Sequence, residues 1–268
     1  MHDEICKKIK NIDEEITHLK NKIKTLQDEK SILEKELKES EHQKSTDAFL
    51  NQIHECDNST GMAFRLNGDT RTTPIMEEFY SLQGEGYHTG KPAYFLRVGG
   101  CDVGCFFCDV KEAWDASRHP LIHCDEVIAR IAANPSKAVV VTGGEPLLYQ
   151  MDYLCEELHK RHIALFLETS GSEPLSGRWD WICLSPKRDL PPRTEMLSIA
   201  DELKVIICNQ DDFEWAEENA AKVKSDTLLY LQPEWSNVKK IMQPIVDYAL
   251  KNPKWRVSIQ SHKYMRIP

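Results

Sequence analysis

The stretch Cys101-Asp102-Val103-Gly104-Cys105-Phe106-Phe107-Cys108 is the most informative part of this chain. Its cysteines have the spacing C-x3-C-x2-C, and no fourth cysteine continues the pattern. Iron–sulfur clusters are usually held by four Cys thiolates. Three thiolates would leave one iron of a [4Fe–4S] cube open to a ligand that is not protein. The spacing therefore predicts a chemically active cluster held by Cys101, Cys105 and Cys108.

Zinc and chance spacing are the alternatives to a cluster. A structural zinc ion needs four ligands, commonly from two C-x2-C pairs or from Cys/His pairs. The nearest residues that would complete such a set are His119, His123 and Cys124, which follow no usual zinc-finger spacing. A disulfide framework is disfavoured because the chain has nine cysteines and no recognisable signal peptide.

Composition limits the classes of function. Asp and Glu outnumber Lys and Arg by 43 to 34, for a formal net charge of −9, which argues against binding to a nucleic-acid backbone. No apolar run is long enough to cross a bilayer, so we expect no membrane insertion. The missing signal peptide and the pattern of thiols predict a reducing, cytoplasmic location.

Residues 1–43 carry a heptad pattern in which Ile fills one core position and Leu fills the other. These residues are Ile9, Ile16 and Ile23 and, at the second position, Leu19, Leu26 and Leu33. This choice favours a parallel two-stranded coiled coil, so we expect a homodimer; one long helix folded back on the body is the alternative. Residues 44–73 are polar and rich in turn signals, which predicts a linker. Residues 74–268 would then form the catalytic domain.

After Pro74, short apolar runs alternate with amphipathic stretches. The predicted strands are Ala93–Val98, Ala138–Thr142, Leu165–Glu168, Trp181–Leu184, Glu202–Ile207, Leu228–Leu231 and Arg256–Ile259. The predicted helices are Cys124–Ala133, Pro146–His162, Phe213–Val223 and Val238–Leu250, the last interrupted by Pro244. Such alternation indicates an α/β fold, a parallel sheet with crossover helices that is either open or closed into a barrel.

Distinctive segments follow several of these strands. They are the cysteine loop, Gly143-Gly144-Glu145-Pro146, Thr169-Ser170-Gly171, Ser185-Pro186-Lys187 and Gln232-Pro233. Taken singly, each of the later segments fits an ordinary turn. Parallel α/β folds build their sites at the carboxyl ends of the strands, so together these segments predict one site at one edge of the sheet.

The cysteine loop after one strand, with Gly-Gly-Glu-Pro after the next, resembles the radical S-adenosylmethionine (SAM) superfamily, as does Phe107 before the third cysteine. The resemblance implies an incomplete (β/α)6 barrel with a [4Fe–4S] cluster at its top. It also implies that SAM binds the open iron and is cleaved by one electron from the cluster, and that the resulting radical abstracts a substrate hydrogen. A flavodoxin- or ferredoxin-type donor would supply the electron.

Further segments of the predicted catalytic domain, including some near both of its ends, resemble one family within this superfamily, the 7-carboxy-7-deazaguanine synthases. The similar segments are Phe79–Gly86, Glu168–Gly171, Ser185–Lys187, Leu231–Pro233 and Gln260–Tyr264 with the closing Pro268. Together they span most of the body, roughly residues 75–268. That family contracts 6-carboxy-5,6,7,8-tetrahydropterin to 7-carboxy-7-deazaguanine with loss of ammonia, on the route to queuosine. The resemblance therefore implies a carbon–nitrogen lyase with a small pterin substrate.

The resemblance also implies roles for single residues. Contacts to SAM are implied for Phe107, Cys108, Asp109, Gly143, Gly144, Glu145, Ser185, Pro186, Lys187, Gln232 and Pro233. Contacts to the pterin are implied for Leu82, Gln83, Gly84, Arg97, Thr142 and the terminal carboxylate of Pro268. A guanidinium pairs with a carboxylate through two hydrogen bonds, which suits Arg97. No catalytic acid or base is assigned, because the cofactor supplies the difficult step.

Val110 departs from the pattern of the family. Thr commonly follows the Cys-Asp pair there, and its hydroxyl helps to hold a Mg²⁺ ion bound to the substrate carboxylate. Mg²⁺ requires oxygen ligands, which the Val110 side chain lacks. We therefore predict that Mg²⁺ dependence is weak and that the ion is replaceable.

Two other functions compete with a pterin lyase. An activase that forms a glycyl radical on a protein partner uses the same cysteine spacing, but it would not need the Leu82–Gly86 segment. A coiled-coil adaptor with a structural metal would not need intact motifs in all of the strand-end loops.

Overall fold

The computed structural model describes residues 71–268 and, before them, only Lys22 and Lys30, both in helical conformation. Apart from these two lysines, the predicted coiled coil lies outside the described residues, as does nearly all of the predicted linker. The first strand begins at Thr72, two residues ahead of the predicted boundary at residue 74.

One sheet forms the framework of residues 71–268. Its strands are β1 (Thr72–Leu82), β2 (Pro92–Val98), β3 (Leu121–His123), β4 (Ala138–Gly143), β5 (Ala164–Thr169), β6 (Trp181–Leu184), β7 (Glu202–Ile207), β8 (Leu228–Pro233) and β9 (Trp255–Val257). Their order is β3-β1-β2-β4-β5-β6-β7-β8-β9. β2 and β4 to β9 are parallel, and β1 pairs antiparallel with β2 and β3. All the predicted strands are present, whereas the prediction missed β1 and β3.

Most helices lie in the connections between the parallel strands. They are α1 (Cys124–Ala133), α2 (Asp152–His159), α3 (Thr194–Ile199), α4 (Asp212–Ala220), α5 (Val238–Lys251) and α6 (Ser261–Met265). The prediction missed α3 and α6, and α4 begins one residue earlier and ends three residues earlier than predicted. α1 has its predicted bounds; acidic residues in its first turn and Arg130 in its last complement the helix dipole.

Two helix predictions are wrong. Residues 146–148 form a short 3-10 helix, and α2 begins only at Asp152, because the Glu145 carboxylate accepts a hydrogen bond from Leu147 N and caps a separate turn. Pro244 does not interrupt α5. Ile241 and Ile245 on this helix are buried, and their packing outweighs the backbone hydrogen bond that proline cannot donate.

Side chains alternate between the two faces of each parallel strand. In β5, Leu165 and Leu167 are fully buried in the two cores formed with the helices. Phe166 and Glu168 point to the opposite face, which is the barrel interior. Burying a leucine side chain contributes roughly 1.5–3 kcal/mol, so this alternation fixes which side chains face inward.

The arrangement confirms the predicted α/β fold with an incomplete barrel, and β3 and β9 are the two edges of its sheet. The connection from β5 to β6 carries no helix. Instead, the Asp180 carboxylate holds it, accepting a hydrogen bond from Leu165 N at 2.8 Å and lying 3.0 Å from His159 Nε2. Among the described residues, no helix has the length and apolar character needed to span a membrane.

Candidate active site

A cavity of about 290 Å³ opens inside the barrel where the parallel strands end. Residues after β2, β4, β5, β6 and β8 line it, together with residues from the loop between β1 and β2 and from the last segment of the chain. Every residue predicted to hold the cluster, SAM or the pterin lines this cavity except Pro186, which is buried but does not line it. The structure thus brings the predicted residues together, while their ligands stay predictions.

Main-chain hydrogen bonds join the start of the cysteine loop to the segment that follows the loop. Gly100 N donates to Ala113 O at 2.6 Å, and Cys101 N donates to Trp114 O at 3.1 Å. Cys108 N donates to Cys105 O at 3.0 Å, which closes a tight turn between the second and third cysteines. Hydrogen bonds within the protein therefore shape the main chain of this loop.

The thiols lie in surroundings that disfavour charge. Burial raises the pKa of Cys101 to about 12. Burial also raises the pKa of Cys105 to about 11, although the nearby charge of Lys187 opposes this effect. A bound metal deprotonates a coordinating thiol outright. These cysteines therefore become thiolates when a cationic centre binds them.

Among the described residues, no three His, Cys, Asp or Glu side chains converge on a single metal ion. A structural zinc ion would also need a fourth ligand beside the three cysteines. In a [4Fe–4S] cube each thiolate binds a different iron, and the three sulfurs surround a larger volume. Three cysteines around one cavity fit such a cluster.

Two glycines let the end of β4 touch the cysteine loop. Gly143 has φ +140°, and a Cβ atom there would lie 2.2 Å from Val98 O. A Cβ atom on Gly144 would lie 1.9 Å from Gly100 O. Gly144 N donates to Val98 O at 3.0 Å, and Glu145 N donates to Gly100 O at 2.8 Å. Only glycine permits this approach, so bare main chain forms this part of the cavity wall.

The Glu145 side chain joins the ends of β4 and β5. Its Oε1 accepts hydrogen bonds from Leu147 N at 3.1 Å and from Thr169 Oγ1 at 2.6 Å. Its Oε2 accepts from Ser170 N at 2.8 Å and from Ser170 Oγ at 2.6 Å. Glu145 is 1% exposed, and four donors satisfy its buried carboxylate. The side chain thereby fixes two of the site loops relative to each other.

The loops after β6 and β8 present a cation and an amide. Lys187 Nζ donates to Ser185 O at 2.6 Å and to Ser185 Oγ at 2.7 Å. Gln232 is almost fully buried, and its Oε1 accepts from Ser258 Oγ at 2.7 Å. Both side chains are held by bonds within the protein before any ligand binds.

The residues predicted to hold the pterin occupy a second part of the wall. Arg97 on β2 and Thr142 on β4 are neighbours in the parallel register. Arg97 Nε donates to Glu77 Oε1 at 2.6 Å, so this guanidinium already has one acidic partner. Ser81 Oγ donates to Pro268 O at 3.2 Å, which places the last residue beside β1.

A buried ion cluster in the wall was missed by the sequence analysis. Lys204 Nζ lies 2.6 Å from Glu85 Oε2 and 2.9 Å from Glu168 Oε2. Within residues 71–268, Lys204 is the only buried lysine or arginine. A signal was present in the sequence: Glu202 and Lys204 alternate with apolar residues in β7, which puts both charged side chains on one face of a strand.

An ion pair closes the wall between the cysteine loop and α6. Lys263 Nζ donates to Asp109 Oδ2 at 2.6 Å and lies 4.9 Å from the centre of the Trp235 ring. Trp235 and Trp114 both line the cavity, which the sequence did not indicate. Val110 lines it as well and offers an apolar side chain where a hydroxyl was expected from the resemblance.

Part of this chain matches a known protein family. Residues 96–187, which include the cysteine loop and the segments after β4, β5 and β6, match the radical SAM superfamily.

Several curated proteins named 7-carboxy-7-deazaguanine synthase are similar to this chain. The protein from Flavobacterium psychrophilum is 55% identical over 195 residues, which cover 73% of this chain and 92% of the relative. The protein from Synechocystis is 44% identical, with 74% of this chain and 95% of the relative covered. The protein from Escherichia coli K12 is 31% identical, with 72% and 98% covered.

A solved structure agrees with these relatives. The crystal structure of QueE from Escherichia coli superposes with a TM-score of 0.66 at 29% sequence identity, and the match covers 76% of this chain and all of that chain. The shared fold thus extends over the whole length of the solved protein.

Proposed function

The chain belongs to the 7-carboxy-7-deazaguanine synthase family of radical SAM enzymes, and we propose that it converts 6-carboxy-5,6,7,8-tetrahydropterin to 7-carboxy-7-deazaguanine with loss of ammonia. This carbon–nitrogen lyase step belongs to queuosine biosynthesis. One observation carries the proposal: the cysteine loop, the Gly143–Glu145 segment and the Leu82–Gly84 segment line the same cavity.

Cys101, Cys105 and Cys108 would hold the [4Fe–4S] cluster. When bound, the cluster would supply the electron that cleaves SAM and so starts hydrogen abstraction from the pterin. The chain itself contributes an anchored loop and a largely water-excluded setting for the first two thiols. Lys187 adds a positive charge near Cys105, which favours the thiolate.

SAM would bind along the segments after β4, β6 and β8, as the resemblance implies. The Glu145 carboxylate already accepts four hydrogen bonds, so we expect main-chain atoms of the Gly143–Glu145 segment to receive the amino group of SAM. Phe107, Asp109 and Ser185 remain further expected contacts. Expected contacts also include Cys108, Lys187, Gln232 and Pro233, whereas the buried Pro186 would act only by shaping its loop.

The pterin would occupy the part of the cavity beside β1, β2 and β4. Arg97 would pair with the substrate carboxylate, because a guanidinium has five donors and its bond to Glu77 uses only Nε. Thr142 next to it offers a hydroxyl. The Leu82–Gly84 segment and Pro268 complete this part of the wall.

Mg²⁺ is expected to matter less than in the family at large. Val110 offers no oxygen ligand, and the neighbouring Asp109 carboxylate already pairs with Lys263. Activity should therefore survive removal of Mg²⁺ with a chelator at saturating pterin, and Val110→Thr should increase the stimulation by added Mg²⁺. A strict requirement for Mg²⁺ in the unmodified protein would contradict this expectation.

Assembly, electron supply and location are further parts of the proposal. The heptad pattern of residues 1–43 supports a homodimer. A flavodoxin- or ferredoxin-type protein would deliver the electron. A reducing cytoplasm is the proposed location, because it would keep the cysteines of the loop as thiols that can bind a cluster.

Anaerobic reconstitution of the full chain with iron and sulfide tests the function. With SAM, a reductant and 6-carboxy-5,6,7,8-tetrahydropterin, we expect 5′-deoxyadenosine, ammonia and 7-carboxy-7-deazaguanine. Cleavage of SAM without consumption of the pterin would favour an activase with a protein substrate. Binding of zinc in place of iron, with no cleavage, would favour a structural adaptor.

A further inference from the structure

Three charged side chains from separate elements meet in the cavity wall, and we call them the Glu85–Lys204–Glu168 triad. Lys204 lies in β7, Glu168 in β5 and Glu85 in the loop between β1 and β2. The Lys204 ammonium donates hydrogen bonds to Glu85 Oε2 at 2.6 Å and to Glu168 Oε2 at 2.9 Å. One ammonium therefore sets the positions of two carboxylates that come from distant parts of the chain.

The second oxygen of each glutamate is also fixed. Gln260 Nε2 donates to Glu85 Oε1 at 2.8 Å, and Gln83 Nε2 donates to Glu168 Oε1 at 3.2 Å. An ionised carboxylate has about four acceptor positions, so each can still accept from a molecule in the cavity. Each glutamate exposes 19% of its side chain and Lys204 exposes 4%, so the carboxylates face the cavity more than the ammonium does.

Further titratable groups surround the triad. Glu202, Cys183 and His262 are further titratable groups near Lys204, from β7, β6 and α6. Burial raises the pKa of Glu202 and of Cys183 and lowers the pKa of His262, which favours the uncharged form of each. The Lys204 ammonium thus pairs with two glutamate side chains.

The pKa values of the triad follow from this geometry. Burial alone would raise the pKa of Glu85, but the charge and the hydrogen bond of Lys204 outweigh burial and lower that pKa to about 2. Burial would lower the pKa of Lys204, but the adjacent carboxylates of Glu168 and Glu85 offset burial and hold that pKa well above its ordinary value. Glu85 is therefore ionised and Lys204 protonated at neutral pH.

We propose that Lys204 is a positioning residue for the pterin: it holds Glu85 and Glu168 as a fixed pair of acceptors for the N–H groups of the substrate ring. The inference rests on the proposed function, because a tetrahydropterin carries amino and ring N–H donors that match two carboxylates. Lys204 acts through the glutamates and need not touch the substrate.

Loss of Lys204 has a distinctive consequence for pH dependence. Without the ammonium, the two buried carboxylates repel each other, and the pKa of Glu85 is no longer lowered. As the pH falls, Glu85 would then take up a proton and lose acceptor capacity. Pterin binding should therefore stay nearly constant between about pH 5.5 and 8 in the unmodified protein, but weaken toward the acid end once Lys204 is replaced.

The test measures the Kd of 6-carboxy-5,6,7,8-tetrahydropterin calorimetrically, on the full chain reconstituted with the cluster and saturated with SAM. Lys204→Met should raise the Kd by about tenfold or more at neutral pH, and further as the pH falls. The matched control is Lys224→Met, which breaks a partly exposed ion pair with Asp201 at 3.1 Å outside the cavity and should leave the Kd unchanged. A Lys204→Met protein that binds the pterin within about twofold of the unmodified chain at every pH would overturn the inference.

A second variant covers the risk that Lys204→Met does not fold. Lys204→Met/Glu85→Gln removes one charge of each sign and should fold, yet it should still bind the pterin at least about tenfold more weakly. Normal affinity in this variant, or failure of both variants to fold, would show a merely structural role and overturn the inference. An unmodified protein that neither binds nor consumes the pterin would instead overturn the proposed function.

Discussion

The two ends of the barrel interior are built from the same strands but hold opposite kinds of side chain. At the end where the parallel strands begin, Phe166 packs in an apolar cluster with Trp181, and His88 stacks on Phe166 with ring centroids 4.1 Å apart. Two residues further along β5, on the same face, Glu168 pairs with the ammonium of Lys204. Two residues on the same face of β5 therefore have different roles: Phe166 packs in an apolar cluster, and Glu168 contributes a charged group to the cavity wall.

The two ends of the barrel interior differ because a loop closes one of them and the other is open. The loop between β1 and β2 folds back on itself where the strands begin, with hydrogen bonds from Gln83 N to Lys91 O at 2.9 Å and from Gly90 N to Gln83 O at 2.7 Å. Its aromatic residues fill that end, and Tyr87 stacks on Trp181 with centroids 4.7 Å apart. At the opposite end, the loops after the parallel strands, the start of the β1–β2 loop and the last segment of the chain line the open cavity. We expect substitutions at the closed end to change stability and those at the open end to change activity.

The largest expected effect is at the cysteine loop. Cys105→Ser should abolish the visible absorbance of the reconstituted cluster and all cleavage of SAM, because a serine hydroxyl is a poor substitute for a thiolate ligand of iron. The matched control is Cys208→Ser, a half-buried cysteine after β7 that does not line the cavity and should keep both the cluster and the activity. Loss of the cluster in Cys208→Ser would instead identify a fourth ligand and contradict the open iron.

The second-largest effect is expected at Glu168, and Phe166 in the same strand, β5, serves for comparison. Glu168→Gln should lower kcat/KM for the pterin by about 10–100-fold, because a hydrogen bond to a charged group contributes about 1.5–3 kcal/mol, while the melting temperature changes little. Phe166→Leu should do the reverse: it should cost about 1 kcal/mol of unfolding free energy with kcat/KM nearly unchanged. Equal losses of activity in the two variants would contradict the division of the interior into two ends.

The third effect is expected at Gly144, at the open end of the barrel interior, and Gly90 at the closed end serves for comparison. Gly144→Ala places a Cβ atom 1.9 Å from Gly100 O, so it should displace the cysteine loop and reduce the iron content after reconstitution, besides costing about 1–3 kcal/mol. Gly90→Ala meets no atom within 4 Å, and its φ of +85° should cost only about 1–2 kcal/mol of stability. Iron analysis and thermal unfolding distinguish the two variants. Normal iron content in Gly144→Ala would contradict the proposed contact.

The sequence predicts those elements of the fold that local residue patterns define, and it misses elements that depend on contacts with distant parts of the chain. The bounds of β6, β7 and α1 agree with the prediction residue by residue, because each is set by local apolar patterning and turn residues. β1 was missed because its residues TTPIMEEFYSL hold no regular alternation and it is stabilised by antiparallel pairing to β2 and β3. Local pattern cannot reveal a strand that its neighbours define.

Prediction of the candidate active site from the sequence has the same limit. The cysteines, the glycines and the strand-end segments are contiguous motifs, and all of them line one cavity. The triad joins residues 85, 168 and 204, which no spacing in the sequence connects. Sequence patterns could show that β7 has a charged face, but only the fold shows which carboxylates meet Lys204.

The smallest expected effect concerns the closed end. Burial, with the charge of Lys91, lowers the pKa of His88 from its ordinary value of 6.5 to about 4, and the Nε2 atom of this ring is buried without a hydrogen-bond partner. Between these two pH values the folded protein binds fewer protons at this site than the unfolded chain does. Stability from this residue is therefore fully present above pH 6.5 and falls as the pH decreases toward 4.

His88→Phe tests this directly, because it keeps the stack on Phe166 and removes the titrating group. Denaturant unfolding between pH 7 and 5 should show a loss of stability about 1 kcal/mol smaller in the variant, after allowance for partial exposure of the ring. His162→Asn changes an exposed histidine with φ +56°, a conformation that Asn tolerates, and serves as the control for replacing a histidine at the surface. A His88→Phe protein as sensitive to acid as the unmodified chain would mean that the closed end admits water, because a hydrated histidine would titrate alike in both states.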